Sequence, residues 1–435
     1  MIVNELHVRL RDVTVGTLAH LSGDRITLIF DSDYLNMRNR PVLGLSFLND
    51  QGGVIEEQRI TTRKAPPYFA NLLPEGHLRD YLAGLAGINE TRDYPLLYLT
   101  GGDLPGAVRL IPGRAWTSNE NAVQGGGGPD ESSVLRFSLA GVQLKFSAVM
   151  EARGGLTIPA HGAGGDWIVK LPSAHYPGVP ENEYSMMSIA TSVGIEIPEV
   201  RLVPMRDIQG IPETAADSPL ADASALAIRR FDRDQGHRIH TEDFAQVFSQ
   251  YPDQKYRGYS YANIGRILVV YSNDQAVDQF ARRLTYSALI GNADMHLKNW
   301  SLIYRDGINA ELSPAYDMLS TVAHMNDPTM ALRLGKTKRW NALTLDDFRR
   351  LADRMGVNHA DILEPVNETI DIFRSKWKGL AKDLPVSPRV SEVIGEQLST
   401  VPALAETGPA LQTPSPKQEM TGTRPPHRQT SWKPS

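Results

Sequence analysis

At 435 residues the chain is longer than one hydrophobic core usually organises, which points to two or three domains and leaves room for an enzyme. Hydrophobic residues at 41% and charged residues at 22% are ordinary for a globular protein, and no run approaches the roughly 18 apolar residues of a membrane span, so membrane insertion is not expected. A net charge of −5 gives no general attraction to phosphate backbones, and the absence of cysteine excludes disulfides, thiolate catalysis and cysteine-based zinc sites, leaving oxygen and imidazole for any metal.

The first nine residues, Met1 to Arg9, carry neither the basic stretch nor the apolar core of a secretory signal, so a cytoplasmic protein is expected. Residues 3 to about 30 alternate apolar and polar and contain the turn Ser22-Gly23-Asp24, the pattern of a small antiparallel sheet. Helical packing is expected at 68–76 and around Leu82 to Leu85, and Gly106 to Pro112 reads as a closing strand. The polar stretch Ser118 to Ser133, with four glycines at 125–128, cannot bury enough apolar surface to order itself and reads as a linker.

From Arg136 the pattern turns to short strands with one helix, expected from Glu183 to Val193 with Asn182 as its cap and Gly194 just past its end, then a strand from Ile197 to Val203. After about Val277 helices dominate. Thr344 to Asp347 reads as a capping box, followed by Phe348, Leu351, Ala352 and Met355 at helical spacing. Beyond Val401 the composition is that of a disordered tail.

Four segments carry candidate chemistry. In Asp294-Met-His296-Leu-Lys298-Asn299, followed by Tyr316-Asp317, a helix ends, a polar loop offers carboxylate, imidazole and carboxamide, and an apolar strand begins. Phosphoryl transfer needs one group to orient and deprotonate the acceptor hydroxyl and oxygen ligands to hold Mg²⁺ against the phosphates. Asp294 suits the first task, Asn299 and Asp317 the second, and the Asp-x₄-Asn spacing with a later Asp is that of the protein-kinase catalytic loop; taken alone, the segment also reads as a polar turn. Lys170, on the apolar strand 167–172, either reaches solvent or meets a phosphate, and Glu183, 13 residues on, is placed to pair with it. In Ser138-Leu-Ala140-Gly141-Val142-Gln143-Leu144-Lys145 the small residues let backbone N–H groups approach phosphates, although a plain hairpin turn fits the segment as well. Arg229-Arg230-Phe231-Asp232-Arg233 ends a strand where a hinge would present backbone to adenine, and is otherwise a solvated charge run. The tyrosine and basic cluster Tyr251 to Tyr261 reads as a flexible surface loop.

Together with Asn182-Glu-Tyr184, Asn71-Leu-Leu-Pro-Glu75 and Gly106 to Pro112, these ordered motifs resemble the HipA family of serine/threonine kinase toxins over roughly residues 1–385. The resemblance implies an α+β, two-lobed protein-kinase-like fold with a small N-terminal α/β subdomain and a helical C-terminal lobe. The division expected is 1–115 for the N-terminal subdomain, 116–133 for the linker, 134–235 for the nucleotide-binding lobe, 236–385 for the helical catalytic lobe, and 386–435 for an extension disordered from about 401. ATP and Mg²⁺ are the implied cofactors, with Asp294 as base and Asn299 and Asp317 as metal ligands. ATP contacts are implied for Ala140, Gly141, Val142, Gln143, Leu144, Lys145, Lys170, Arg229, Arg230, Phe231, His296, Lys298 and Tyr316. Ser138 matches the autophosphorylated serine of the family, where a phosphate would repel those of ATP. Implied partners are a HipB-like helix-turn-helix antitoxin, operator DNA through that antitoxin, and an aminoacyl-tRNA synthetase as substrate. The chain departs from the family pattern at Gln143-Leu144-Lys145 and Arg229, where acidic residues often stand, and in an insertion from about Met205 to Ser224. Two other readings of the same motifs are a small-molecule kinase of the aminoglycoside or choline type and a catalytically silent corepressor.

Overall fold

The computed structural model describes residues 2–113, 145–151, 155–158, 165–173, 176–211, 223–325 and 329–405. The alternating N-terminal pattern forms three antiparallel strands, Ile2–Leu10, Val13–Leu21 and Arg25–Phe30. The strand Val108–Pro112 returns to pair with the first of them, and Thr61–Thr62 completes the other edge. Helices Gly76–Leu85 and Asp93–Thr100 belong to this unit, whose core is built from residues such as Leu6, Leu18, Leu28, Phe69, Leu97 and Leu110.

A second sheet runs in the order Ile208–Gln209, Leu156–Thr157, Lys145–Met150, Trp167–Lys170, Ser224–Arg229, Val200–Pro204. The last strand begins three residues later than the apolar pattern suggests. Pro198 has no N–H to give a ladder, and pairing with Ser224–Arg229 starts at Val200. Against the sheet packs the helix Val179–Ser192, which starts four residues earlier than expected. Asn182 therefore lies inside the helix and caps nothing. Its carboxamide instead donates to the Ser320 carbonyl at 3.0 Å and accepts the Ser320 N–H at 3.0 Å, fastening the far lobe. Gly194, at φ +80°, does stand just past the helix end.

Helices take over from Tyr261, earlier than Val277, with Tyr261–Tyr271 and Asp274–Ile290 leading into the loop of interest. The capping box Thr344/Asp347 starts the helix Leu345–Met355, and Leu351, Ala352 and Met355 are buried as their spacing requires. Order continues past Val401: the short helix Pro402–Ala405 buries Ala403 and Leu404, and the Ala403 N–H donates to the Leu343 carbonyl at 2.8 Å. Residues 401–405 of the expected tail are thus ordered, because these apolar side chains close the core of the helical lobe, and the rest of that tail lies outside the described residues.

The N-terminal unit is fastened to the rest by buried polar contacts. The His240 ring donates to the Leu43 carbonyl at 2.8 Å, and the Glu242 carboxyl accepts the Leu45 N–H at 3.0 Å and the Tyr304 hydroxyl at 2.5 Å. Gly106 donates its N–H to Asp232 Oδ2 at 2.7 Å. At φ +73°, with a β-carbon there lying 2.8 Å from the Thr241 nitrogen, this position admits only glycine.

Burial pushes the Glu242 carboxyl from its ordinary 4.5 up to about 8, so the folded protein keeps a proton that the unfolded chain releases. Between those two values rising pH favours unfolding, by up to about 1.4 kcal/mol per pH unit. Glu242→Gln, which keeps the acceptor oxygen, is expected to flatten that slope in urea unfolding curves taken across this range, with the largest gain over wild type near pH 8. An unchanged slope would place the titration elsewhere.

Candidate active site

Strand register builds the upper wall of the site. Lys145 and Leu226 both lie directly across from Lys170, on neighbouring antiparallel strands, so the Lys145 and Lys170 side chains leave the same face side by side. Two adjacent ammoniums in a buried place require anions, and two arrive. The helix Val179–Ser192 contributes Glu183, whose Oε1 lies 2.5 Å from Lys170 Nζ. The segment after the strand Glu311–Leu312 contributes Asp317, which accepts from Lys170 through Oδ1 and lies 3.7 Å from Lys145 Nζ through Oδ2. Burial raises the Asp317 carboxyl, but the Lys145 and Lys170 charges overcome it and hold it well below the ordinary carboxylate range. Burial likewise lowers Lys170, and Asp317 and Glu183 more than reverse this, so Lys170 stays charged. Lys145, with the weaker partner, ends below its ordinary value.

The lower wall is the loop after Asp274–Ile290. That helix stops at Gly291, whose φ of +64° turns the chain out of the helical path. Asn292 accepts the Asp294 N–H at 3.1 Å and donates to the Asp317 carbonyl at 3.2 Å, tying the two acidic segments together. Asn299 donates its amide N–H to the Asp294 carbonyl at 2.8 Å, which leaves its carboxamide oxygen as the atom available to a cation. Burial raises the Asp294 carboxyl above its ordinary value. Asp317 itself sits at φ +54°, in the left-handed region that aspartate tolerates better than most residues.

Lys145, Lys170, Asp294, Asn299, Asp317 and Phe231 line one cavity of about 340 Å³. Its size is within the usual range for a small-molecule site. Among the described residues no group of three or more His, Asp or Glu is placed to hold a metal by itself. The donors present, one carboxylate and one carboxamide oxygen, fit Mg²⁺, which completes its octahedron with phosphate and water.

Several expected nucleotide contacts have other duties. The Arg230 guanidinium is fully buried, donating to Asp232 at 2.9 and 2.8 Å and to Ser147 Oγ at 2.9 Å, with Asp103 at 3.6 Å, so it braces the hinge, while the residue also borders the cavity. Lys298 donates to the Asn71 carbonyl at 2.9 Å and to Asp243 at 3.1 Å, and all three residues line the cavity. The Tyr316 hydroxyl donates to the Lys298 carbonyl at 2.9 Å and accepts from Ser301, leaving its ring, 5.8 Å from that of Phe231, to face a ligand. Arg229 is exposed at the edge of the cavity, with Glu199 at 3.9 Å as its ion-pair partner among the described residues. His296 is buried and burial drives it down to about 3, so it is neutral. Ser138 and Ala140 to Leu144 lie outside the described residues, as does the 116–133 linker.

The sequence reading missed the residues that surround Asp294. Tyr256 donates its hydroxyl to Asp294 Oδ1 at 2.6 Å, and Lys255 donates to Glu75 at 2.9 Å. The stretch 251–261 is largely at the surface, but through Lys255 and Tyr256 it lines the cavity. The clustering of tyrosines and cations there was the available signal. Asn71 and Glu75 stand in a motif that was visible but whose chemistry was not.

Comparisons with known proteins agree with this geometry. The HipA N-terminal domain family matches residues 6–111 and the HipA-like C-terminal domain family matches residues 137–377. A protein named "Putative kinase Y4dM" from Sinorhizobium fredii is 44% identical over 92% of this chain and 97% of its own length. The serine/threonine-protein kinase toxin HipA of Shewanella oneidensis is 24% identical over 60% of this chain and 64% of its own length. Among solved structures, the Shewanella oneidensis complex of HipA, HipB and operator DNA superposes with a TM-score of 0.68 at 18% identity, covering 92% of this chain and 96% of that one. That likeness shows the fold, and the α+β, two-lobed kinase-like architecture expected from the sequence is the one found.

Replacing Lys170 by Met strips Glu183 of its cation inside the protein, a kind of change that costs about 3–5 kcal/mol. K170M is expected to lose stability on that scale in urea unfolding, and K170M/E183Q to recover the part due to Glu183, Asp317 being left to Lys145; equal losses in the two variants would mean that the pair is not what holds the strand to the helix.

Proposed function

From a chain that belongs to the HipA family, we propose an ATP- and Mg²⁺-dependent serine/threonine protein kinase acting as the toxin of a HipBA-like toxin-antitoxin module. The observation that carries the reading is the convergence of Asp294, Asn299, Asp317 and the Lys170–Glu183 pair on one cavity. Bound ATP and Mg²⁺ supply the phosphoryl group and neutralise its charge in flight. Lys170, steadied by Glu183, holds the nucleotide phosphates, with Lys145 beside it. Asn299 Oδ1 and the Asp317 carboxylate hold the metal, and Phe231 and the Tyr316 ring face the base of the nucleotide. Asp294, kept on its loop by Asn292 and Asn299, orients the acceptor hydroxyl and takes its proton.

Ser138 is the proposed autophosphorylation site, and residues 140–144 the proposed phosphate loop. A HipB-like antitoxin is the proposed partner, supported by the HipA–HipB–DNA assembly of the structural neighbour. DNA would then be met through the antitoxin, and an aminoacyl-tRNA synthetase is the proposed substrate. No helix among the described residues is long and apolar enough to cross a membrane. The 386–435 segment and the 205–224 insertion have no assigned role in this chemistry.

Incubation with γ-labelled ATP and Mg²⁺ tests the reading. Wild type is expected to transfer label to a peptide containing Ser138, and Asp294→Asn to lower the rate at least about 100-fold, as removal of a general base does. Asp317→Asn should abolish the Mg²⁺-dependent part of the thermal shift produced by ATP. Wild-type rates in Asp294→Asn would remove that residue from its role, and an undiminished shift in Asp317→Asn would remove the metal assignment.

A further inference from the structure

Asp294 does not face the cavity alone. Its Oδ1 already accepts a hydrogen bond from the Tyr256 hydroxyl at 2.6 Å, and among the described residues no other side chain hydrogen-bonds that carboxylate. The phenol therefore stands where a substrate hydroxyl would otherwise meet the base. Either it plugs the acceptor position and must leave, or it fixes one oxygen and presents the other.

The surroundings favour the second arrangement. The Tyr256 segment is fastened to the catalytic loop by backbone: the Leu297 N–H donates to the Lys255 carbonyl at 3.2 Å, and a few residues on the Tyr261 hydroxyl donates to the Met295 carbonyl at 3.1 Å. The Tyr256 ring packs edge-on against the His296 ring, with centroids 5.0 Å apart, and that imidazole is itself buried. Lys255 is anchored to Glu75 of the N-terminal unit. A plug would be hinged, whereas this side chain is held on both sides by the loop it touches. Burial and the Asp294 charge also hold the phenol above its ordinary titration range, so it remains a donor.

We infer that Tyr256 is a positioning residue: by occupying Asp294 Oδ1 it fixes the carboxylate so that Oδ2 is the oxygen that receives the acceptor's proton, and its half-exposed ring forms a wall of the acceptor site. The inference rests on the kinase reading above. It assigns to the 251–261 segment a part in orienting the acceptor hydroxyl, distinct from the holding of nucleotide by Lys170, Asn299 and Asp317.

The test is Tyr256→Phe in the full chain, with γ-labelled ATP and Mg²⁺ as the probe and transfer to the chain itself as the readout. Loss of one hydrogen bond to a charged group should lower kcat about tenfold. KM for ATP should stay at the wild-type value, because no proposed nucleotide contact is touched, and the melting temperature should hold, because the ring still packs on His296. In an Asp294→Asn background the same change should have no further effect on the residual rate. Wild-type kcat in Tyr256→Phe overturns the inference, as does a raised kcat, the mark of a plug. Parallel loss of ATP affinity and thermal stability also overturns it, since that marks a merely structural role. If Asp294→Asn is inactive while Tyr256→Phe behaves as wild type, this inference fails and the kinase reading stands. If wild type transfers no label, or Asp294→Asn matches it, the reading beneath both fails.

Discussion

Two ammoniums forced side by side are the constraint on which the site depends. The register that sets Lys145 across from Lys170 is fixed by the apolar faces of three short strands, and a slip of one residue would send both lysines to the opposite face. Once the register is set, the lysines need carboxylates within reach, because a buried charge without a partner is costly. Glu183 meets that need from the helix of the same lobe and Asp317 from the other lobe. The ion pairs across the cleft therefore link strand register in one lobe to loop geometry in the other.

Asp317 can do this only from an unusual backbone. Its left-handed φ turns the carboxylate from its own segment up toward the lysines, and the Asn292 carboxamide, by holding the Asp317 carbonyl, keeps the turn in place. Local strain of this kind persists where surrounding contacts over-determine it. The N-terminal unit extends the same logic. It sends Asn71 to Lys298 and Glu75 to Lys255, and its Asp103 joins Arg230, Arg233 and Asp232 in a buried network behind the hinge. Beside the local pairs of Asp232 with Arg230 and Arg233, these contacts join distant stretches of chain, so the unit is part of the scaffold of the cleft.

This explains which features were legible in the sequence. The Asp294, Asn299 and Asp317 spacing, the Lys170–Glu183 pair and the Thr344 capping box depend on neighbours a few residues or one element away, and local pattern carries them. The partners of Lys298, Arg230 and Asn182 were not legible, because Asn71, Asp103 and Ser320 lie 227, 127 and 138 residues away in sequence, and an exposed-looking charge or a good capping residue announces nothing about such a partner. Tyr256 was missed for a related reason. A tyrosine in a polar, glycine-containing stretch reads as surface until the loop it lies on is known to run past Asp294.

The charge balance of the cavity leads to a last step. Lys145 and Lys170 face Glu183, Asp317 and Asp294, while Lys255 and Glu75 cancel one another and His296 is neutral. Arg229, Arg230 and Lys298 with Asp232 and Asp243 complete the lining, so that six cations stand against six carboxylates and Lys170 is already engaged by Glu183 and Asp317. An anionic ligand meets Lys170 fully only where that lysine is shared away from Asp317. In the proposed kinase, a divalent cation on Asp317 would free Lys170 to meet the ligand while Glu183 keeps it in place. A metal requirement for nucleotide binding in that kinase would follow from how these side chains are paired, before any catalytic role for the ion is considered.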